Sequence, residues 1–493
     1  MASLNKSSKG TNKTVNRSGH VAYRLDDKTK LVTMALTTML GEPKYYGDNT
    51  DEMIKLAEDI CKAGDGEFVA KLAVWARTKG NLRSVSHALI AVAHRWYFAV
   101  SDGNTVSPIR KATEIIASQR GDDAAEMTAA YLALYGKEDK ARHPNALRKG
   151  IRDALSKQSA YSIAKYQSRN REVKLRDVLR LDHPKALSEE TSEAMGKAIE
   201  GTLEVPKGWE TELSARGNTK EVWDELISEN RLGIFAQVRN LRNMINAGAD
   251  IDPVLENLCD RQVIMRSRML PFRFLSAYRE LQRAGLASTK VSRALDTAMV
   301  NACANVDRLP GRTAVLIDTS GSMSYAVSKN SVTSCCDIAA TLGAMSAHIS
   351  DDAWVCEFNT RAFVVPMTGT SIISDISRVG APSGGTYMSA GFDLLMMSGF
   401  DADRVIVLSD NEVNGVFWHS GKDTIQHCLE DYRRKVGHDV WCHAIDLQGY
   451  GTSQFWGPKT SVITGWSDQV LRFISLAENG FGSIVDEVEA VKL

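Results

Sequence analysis

What the chain lacks narrows its function first. It has no net charge, with 60 Lys and Arg against 60 Asp and Glu in 493 residues, so no global field marks it for an acidic or basic partner. Its eight cysteines, at 61, 259, 303, 335, 336, 356, 428 and 442, form no C-x-x-C and no paired histidine spacing. Neither a zinc site nor a disulfide framework is indicated, and reduced, mostly buried thiols are expected. No apolar run approaches the ~20 residues of a membrane span, and the N-terminus lacks a signal-peptide core. A cytoplasmic protein with no membrane partner is expected. P-loop, G-x-S-x-G and H-E-x-x-H sequences are missing, as is the aromatic-bearing strand of an RRM. The expectation is a protein without catalytic residues or turnover.

What is present falls into two textures. From about Leu25 to Val306 apolar residues recur at i, i+3 and i+4 between short polar or Gly/Pro breaks, as in Met53-Leu56-Ala57-Ile60-Cys61 and Leu89-Ile90-Val92-Ala93-Trp96. That periodicity predicts helix after helix, and so long a run has no single-core solution, which favours a solenoid of HEAT-like helix pairs. Past Leu309-Pro310-Gly311 short β-rich runs (314–317, 354–358, 362–365, 405–408, 440–445) alternate with helical stretches near 332–349 and 425–435. Such alternation predicts a mainly parallel, doubly wound α/β sheet. The expected domains are a flexible basic arm over 1–22, a helical-repeat domain over 23–308 and an α/β domain over 309–493. The arm is inferred from Lys6, Lys9, Lys13 and Arg17 with no acid in the first nineteen residues,.

Two constellations carry chemistry. The first is Asp318-Thr319-Ser320-Gly321-Ser322 at the end of the strand Val315-Leu316-Ile317, followed by Thr386 in a glycine turn and Asp410 at the end of a second strand. Alone, the pentapeptide reads as a turn with a capped helix start. With both later elements in order, two carboxylates and three hydroxyls make an oxygen set suited to a hard divalent cation such as Mg²⁺. The set resembles the metal-ion-dependent adhesion site of von Willebrand factor A domains, carried at Asp318, Ser320, Ser322, Thr386 and Asp410. The resemblance implies metal binding and adhesion, not cleavage.

The second is a local charge excess. Residues 142–185 hold twelve Lys/Arg against four acids, an excess of eight positive charges, whereas residues from Asp401 onward hold eight Lys/Arg against fourteen acids. A basic face of this kind neutralises phosphates and releases counterions. Lys165 and Arg169 stand i, i+4, as do Arg176 and Arg180, so each pair shares a helix face. His183 precedes Pro184, which disfavours the α region and places the imidazole at a helix end. The plainer alternative is a solvated face with its arginines paired to Asp177 or Asp182.

The wording around these residues resembles the TROVE module of the Ro autoantigen family, of bacterial or phage type. It is carried by Ala164-Lys165-Tyr166-Gln167-Ser168-Arg169-Asn170, Leu175-Arg176-Asp177-Val178-Leu179-Arg180-Leu181-Asp182-His183-Pro184-Lys185, Gln237-Val238-Arg239-Asn240-Leu241-Arg242-Asn243-Met244, Met269-Leu270-Pro271-Phe272 and Ser409-Asp410-Asn411-Glu412. The resemblance implies a ring of helical repeats closed by the A domain. It also implies Y-like noncoding RNA on an outer basic surface and single-stranded 3′ ends of misfolded RNA in the hole. Lys165, Arg169 and His183 match family positions tied to RNA binding, and Arg176 and Arg180 extend the same signature. In bacterial relatives a 3′-to-5′ exoribonuclease such as polynucleotide phosphorylase is tethered through the RNA, and a monomer is implied. Tyr45-Tyr46 and the 77–83 segment also resemble positions near the start of the module, where packing or a turn is the expected use. The alternative function, of another class, is a metal-dependent protein–protein adhesion or chelatase-accessory scaffold without RNA.

Overall fold

The computed structural model describes residues 13–15, 21–24, 26–37, 48–97, 107–136, 143–167, 172–326, 333–414, 424–448, 452–464, 469–478 and 484–493. The chain divides into two compact units, one of residues 26–207 with 484–493, the other of residues 208–483 with 1–25. The change from helix to sheet falls at Leu309. The division into compact units falls elsewhere, between 207 and 208, so the helices from Trp209 to Ala302 belong to the same unit as the sheet.

The unit containing 26–207 is helical. Asn145–Ser156 shows why: Leu147, Gly150, Ile151, Ala154 and Leu155 are its buried residues, the i, i+3, i+4 stripe of a helix packed on one side. Helix ends follow local chemistry. Ser159 accepts from the Ser162 N–H at 3.2 Å and Ser188 from Thr191 N–H at 3.2 Å, each satisfying a donor that a first turn leaves open. The Ile484–Glu489 helix packs on Asp27–Thr37 and Gly66–Thr78, with Val488 buried and Lys71 Nζ donating to the Glu489 carbonyl at 3.0 Å. Several helices are short; Ala160–Tyr166 has seven residues.

In the other unit the strands are β1 (Lys13–Val15), β2 (Val21–Arg24), β3 (Leu309–Asp318), β4 (Ser350–Phe358), β5 (Ala362–Val364), β6 (Arg404–Ser409), β7 (Trp441–Asp446), β8 (Thr452–Ser453) and β9 (Thr460–Thr464). Six form one sheet in the order β5-β4-β3-β6-β7-β9, parallel except for β5. Its central strands are buried on both faces, β6 throughout, as expected where helices cover both sides of a parallel sheet. The architecture is a helical-repeat protein with an α/β von Willebrand factor A-like domain. β1, β2 and β8 make a second, antiparallel sheet, with Tyr23 opposite Ser453. This corrects part of the expected flexible arm: Lys13–Val15 is a strand because a partner supplies its ladder, which composition alone does not reveal. The rest of 1–22, except Val21 and Ala22 in β2, lies outside the described residues.

One buried network ties the large sheet to the Gln469–Glu478 helix. Arg404 on β6 donates to Glu478 through Nε at 2.6 Å and Nη2 at 2.8 Å, and to Thr313 Oγ1 on β3 at 2.9 Å. His443 on β7 bonds Ser461 Oγ at 2.7 Å and Glu478 at 3.0 Å. Burial would raise the Glu478 pKa, but hydrogen bonds from His443 and Arg404 outweigh it and hold the carboxyl down to about 2. Burial lowers His443 below its ordinary value, only partly opposed by Glu478. Both shifts are depressions, so the stability they carry is present above the unfolded values, roughly 4.3 and 6.5. It is lost on acidification, the His443 part from near pH 6.5 downward and the Glu478 part between roughly 4.5 and 2. We expect Glu478→Gln to cost about 3 kcal/mol at pH 7 and to flatten the fall in melting temperature below pH 4.5. Parallel melting curves of wild type and variant from pH 7 to 3 check this; equal slopes below 4.5 would count against it.

Candidate metal centre and candidate nucleic-acid interface

β4, β3, β6 and β7 run parallel, and their register sets Asp318 opposite Phe358 and Ser409 opposite Asp446. Asp318 and Asp410 therefore emerge at the carboxyl edge of adjacent central strands, where open α/β sheets bind ligands. Asp318 Oδ1 accepts from the Ser320 N–H at 2.8 Å and Oδ2 from Ser409 Oγ at 2.6 Å. Ser320 Oγ and Ser322 Oγ are 3.2 Å apart, and Ser322 also hydrogen-bonds the Asp410 side chain. Asp410 Oδ1 accepts from the Glu412 N–H at 3.2 Å.

The glycine turn reaches this cluster through backbone. Gly321 N–H donates to Gly384 O at 3.0 Å, and Ser383 N–H to Thr319 O at 2.8 Å. Gly384 has φ +73°, a left-handed conformation that a side chain resists. Thr386 N–H donates to Asn414 Oδ1 at 2.6 Å while Asn414 N–H returns a bond to Thr386 O at 3.0 Å. The structure thus draws the segments bearing all five oxygen residues together. It adds Ser409 and Asn414, neither of which the sequence assigns to the oxygen set; the one readable signal is that Ser409 immediately precedes Asp410 at the strand end.

Burial, and then the charge of Asp410, push the Asp318 carboxyl far above the usual carboxylate range; burial also raises Asp410. Both are buried with no ion-pair partner among the described residues. Two adjoining buried carboxylates answered by hydroxyls and amides fit a hard divalent cation, which would supply the missing positive charge. The described residues contain no cluster of three or more His, Cys, Asp and Glu, the sort of set a softer metal would want.

The basic segment lies in the 26–207 unit. Lys165, Arg176, Arg180 and His183 are exposed, and Arg169 lies outside the described residues, as do Asn170, Arg171 and Tyr45-Tyr46. Leu175–Asp182 buries Leu175, Val178, Leu179 and Asp182 and turns 176, 177, 180 and 181 outward. Ala160–Tyr166 and Leu175–Asp182 both pack against Glu189–Glu200. His183 closes its helix in the left-handed region, φ 49° and ψ 58°, its N–H donating to Leu179 O at 3.1 Å. Pro184 accounts for the helix end but not for this cap, a position more often held by glycine or asparagine.

Part of the charge excess is structural. Arg148 donates to Asp182 Oδ1 at 3.0 Å and to Leu181 O at 2.5 Å, and Arg152 to Asp182 O at 2.8 Å. These two arginines answer carbonyls that a helix C-terminus leaves open, so they hold His183 in place. Burial raises the Asp182 pKa, with Arg148 opposing. Arg180 reaches the Ile199 carbonyl at 2.7 Å, and Arg176 sits 3.8 Å from Asp177. The alternative of arginines paired to Asp177 and Asp182 is thus realised for some of the run, while Lys165 and His183 remain outward.

Fold and sites define a class, a helical-repeat protein joined to an A-type domain. The TROVE domain family model matches residues 191–320. Telomerase protein component 1 from Rattus norvegicus is 23% identical over 337 residues, 52% of this chain and 13% of that protein, and the Mus musculus protein is 24% identical over 332 residues. RNA-binding protein RO60 of Caenorhabditis elegans is 24% identical over 252 residues, 48% of this chain and 38% of that protein. The chain therefore spans well under half the length of these relatives. The crystal structure of the Deinococcus radiodurans Ro (RSR) protein superposes with a TM-score of 0.63 at 19% identity, covering 91% of this chain and 100% of that one. The chain thus resembles TROVE-domain proteins over part of its sequence and shares its fold with the Deinococcus protein.

No helix among the described residues is long and apolar enough to cross a membrane. Cys259 is exposed and the other seven cysteines are buried.

Proposed function

We propose that this protein binds RNA through the exposed face of Ala160–Tyr166 and Leu175–Asp182, taking a small structured Y-like noncoding RNA there and serving RNA quality control or ribonucleoprotein assembly. The observation that carries the reading is the outward set Lys165, Arg176, Arg180 and His183, with Arg148 and Arg152 bracing the helix end before His183. The TROVE match and the likeness to RNA-binding protein RO60 of Caenorhabditis elegans support RNA as the partner class. Misfolded RNA with a single-stranded 3′ end, and an exoribonuclease such as polynucleotide phosphorylase tethered through the RNA, belong to the same proposal by family resemblance. The A-type site is proposed to hold Mg²⁺ or another divalent cation through Asp318, Ser320, Ser322, Thr386 and Asp410, leaving room for an acidic partner group; no turnover is proposed for it.

Sequencing the RNA that co-purifies at ~0.15 M salt, where exposed phosphate contacts meet realistic screening, tests the proposal. Wild type should carry a discrete small RNA that a Lys165/Arg169/His183 triple alanine variant loses, and that RNA should stay intact on incubation with Mg²⁺. Wild type and variant both free of RNA but retaining the same bound protein would replace it with the metal-dependent adhesion reading.

A further inference from the structure

On Ala160–Tyr166 the core positions are Ile163 and Ala164, whereas Tyr161 is 61% exposed. An exposed tyrosine that the fold does not use invites a question about what its ring faces. Its neighbours are cations and rings in alternation. Lys165 Nζ lies 5.9 Å from the Tyr161 ring centroid and 5.9 Å from that of Tyr166. The Arg120 guanidinium lies 5.0 Å from the Tyr166 ring and is itself fixed by Asp122 at 3.0 Å.

This ladder is seated by a close approach of two segments. A Cβ on Gly121 would lie 2.5 Å from both Ser162 Oγ and Tyr166 Cδ2, so glycine there lets the short helix lie flat on the 118–122 turn. At the other end Ser159 caps the helix, and Ser162 Oγ donates to Gln158 Oε1 at 2.6 Å. Tyr161 is thus presented from an anchored helix, with a charge beside its ring and its surface open.

We propose that Tyr161 is a stacking platform for an unpaired nucleobase, with Lys165 taking the adjoining phosphate, so that this helix selects single-stranded loops, bulges or ends over duplex RNA. The inference rests on the RNA-binding reading above and names the element of RNA that its face engages. A base matches the surroundings because it offers a π-face to the ring and, on the same strand, a phosphate to the ammonium group. Protein interfaces are depleted in lysine, and this ring has Lys165 beside it. Paired bases inside a helix keep their faces stacked on each other and cannot reach the platform.

Fluorescence anisotropy at ~0.15 M salt, using a short mixed-sequence single-stranded RNA and a blunt duplex of the same sequence, separates the possibilities. Tyr161→Ala should weaken the single strand roughly tenfold and leave the duplex unchanged, with Tyr161→Phe matching wild type because the ring face is kept. Lys165→Ala should weaken both and lower the salt slope by about 0.7. Equal single-strand affinity in wild type and Tyr161→Ala, alongside a loss in Lys165→Ala, would overturn the platform and leave the RNA reading standing. A matching loss on single strand and duplex in Tyr161→Ala would overturn the selectivity. Wild type that binds neither RNA would overturn the RNA reading itself, and the platform with it.

Discussion

Replacing Asp123 with alanine is expected to destabilise the 26–207 unit by about 3–5 kcal/mol, the range for removing one partner from a buried charge cluster. Asp123 is fully buried at the start of the Asp123–Tyr135 helix. Its Oδ2 accepts Arg77 Nε at 3.0 Å and Nη2 at 2.7 Å, its Oδ1 accepts Arg83 Nε at 2.8 Å, and His87 Nε2 lies 3.2 Å from Oδ1. Burial alone would raise its pKa, yet His87, Arg77 and Arg83 hold it down to about 2. Neighbouring Asp122 pairs with Arg83 at 2.7 Å and with Arg120 at 3.0 Å. Three arginines and a histidine from three segments thus converge on two aspartates, and loss of Asp123 strands desolvated guanidinium groups. A chain of two compact units need not melt in a single step, so hydrogen exchange is the sharper readout: amides of Gly66–Thr78 and Arg83–Trp96 should lose protection while β3 and β6 keep theirs. A loss below 1 kcal/mol would show that water already solvates these arginines.

The second large effect is expected from the cation. Millimolar Mg²⁺ should raise the melting temperature of the unit holding the A-type domain by about 5–10 °C, if the concentration reaches ~100 times Kd and so contributes about 2.7 kcal/mol. EDTA should reverse the shift, and Asp318→Ala should abolish it, since that substitution removes a carboxylate around which Ser320 and Ser409 are arranged. A melting temperature indifferent to 10 mM Mg²⁺ in wild type would sink the metal assignment. In that event the hydroxyl cluster would stand as a set of turn-forming hydrogen bonds.

How much of this was legible in the sequence differs between the two sites. The A-type constellation could be read because its residues sit at strand ends, and strand ends show as abrupt stops in apolar runs; Asp318 follows Val315–Ile317 directly, and Asp410 follows Val405–Leu408 after Ser409. β4, β6 and β7 appear close to the ranges their patterns predict. β8 and β9 do not, since a two-residue strand and an edge run of Thr-Ser-Val-Ile-Thr leave too little periodicity to detect,. The basic face was legible as a charge count, but a count cannot tell a phosphate-binding arginine from one that caps a helix. Arg148 and Arg152 are of the second kind. The Asp123 cluster escaped altogether, because its members lie 36 to 46 positions apart and no local pattern links Arg77, Arg83 and His87 to one carboxylate.

The assignment of 484–493 to the same unit as 26–207, with 1–25 given to the other, has a consequence for biosynthesis. Val488, buried against the earliest helices, is translated some 280 residues after Lys207. At ribosomal speeds of roughly 5–20 residues per second that interval is tens of seconds. Throughout it the first helical unit waits with its final strip missing, while β2 waits equally for β8. Each unit is therefore completed late and from a distance, which makes the nascent chain, rather than the finished fold, the form most in need of a chaperone.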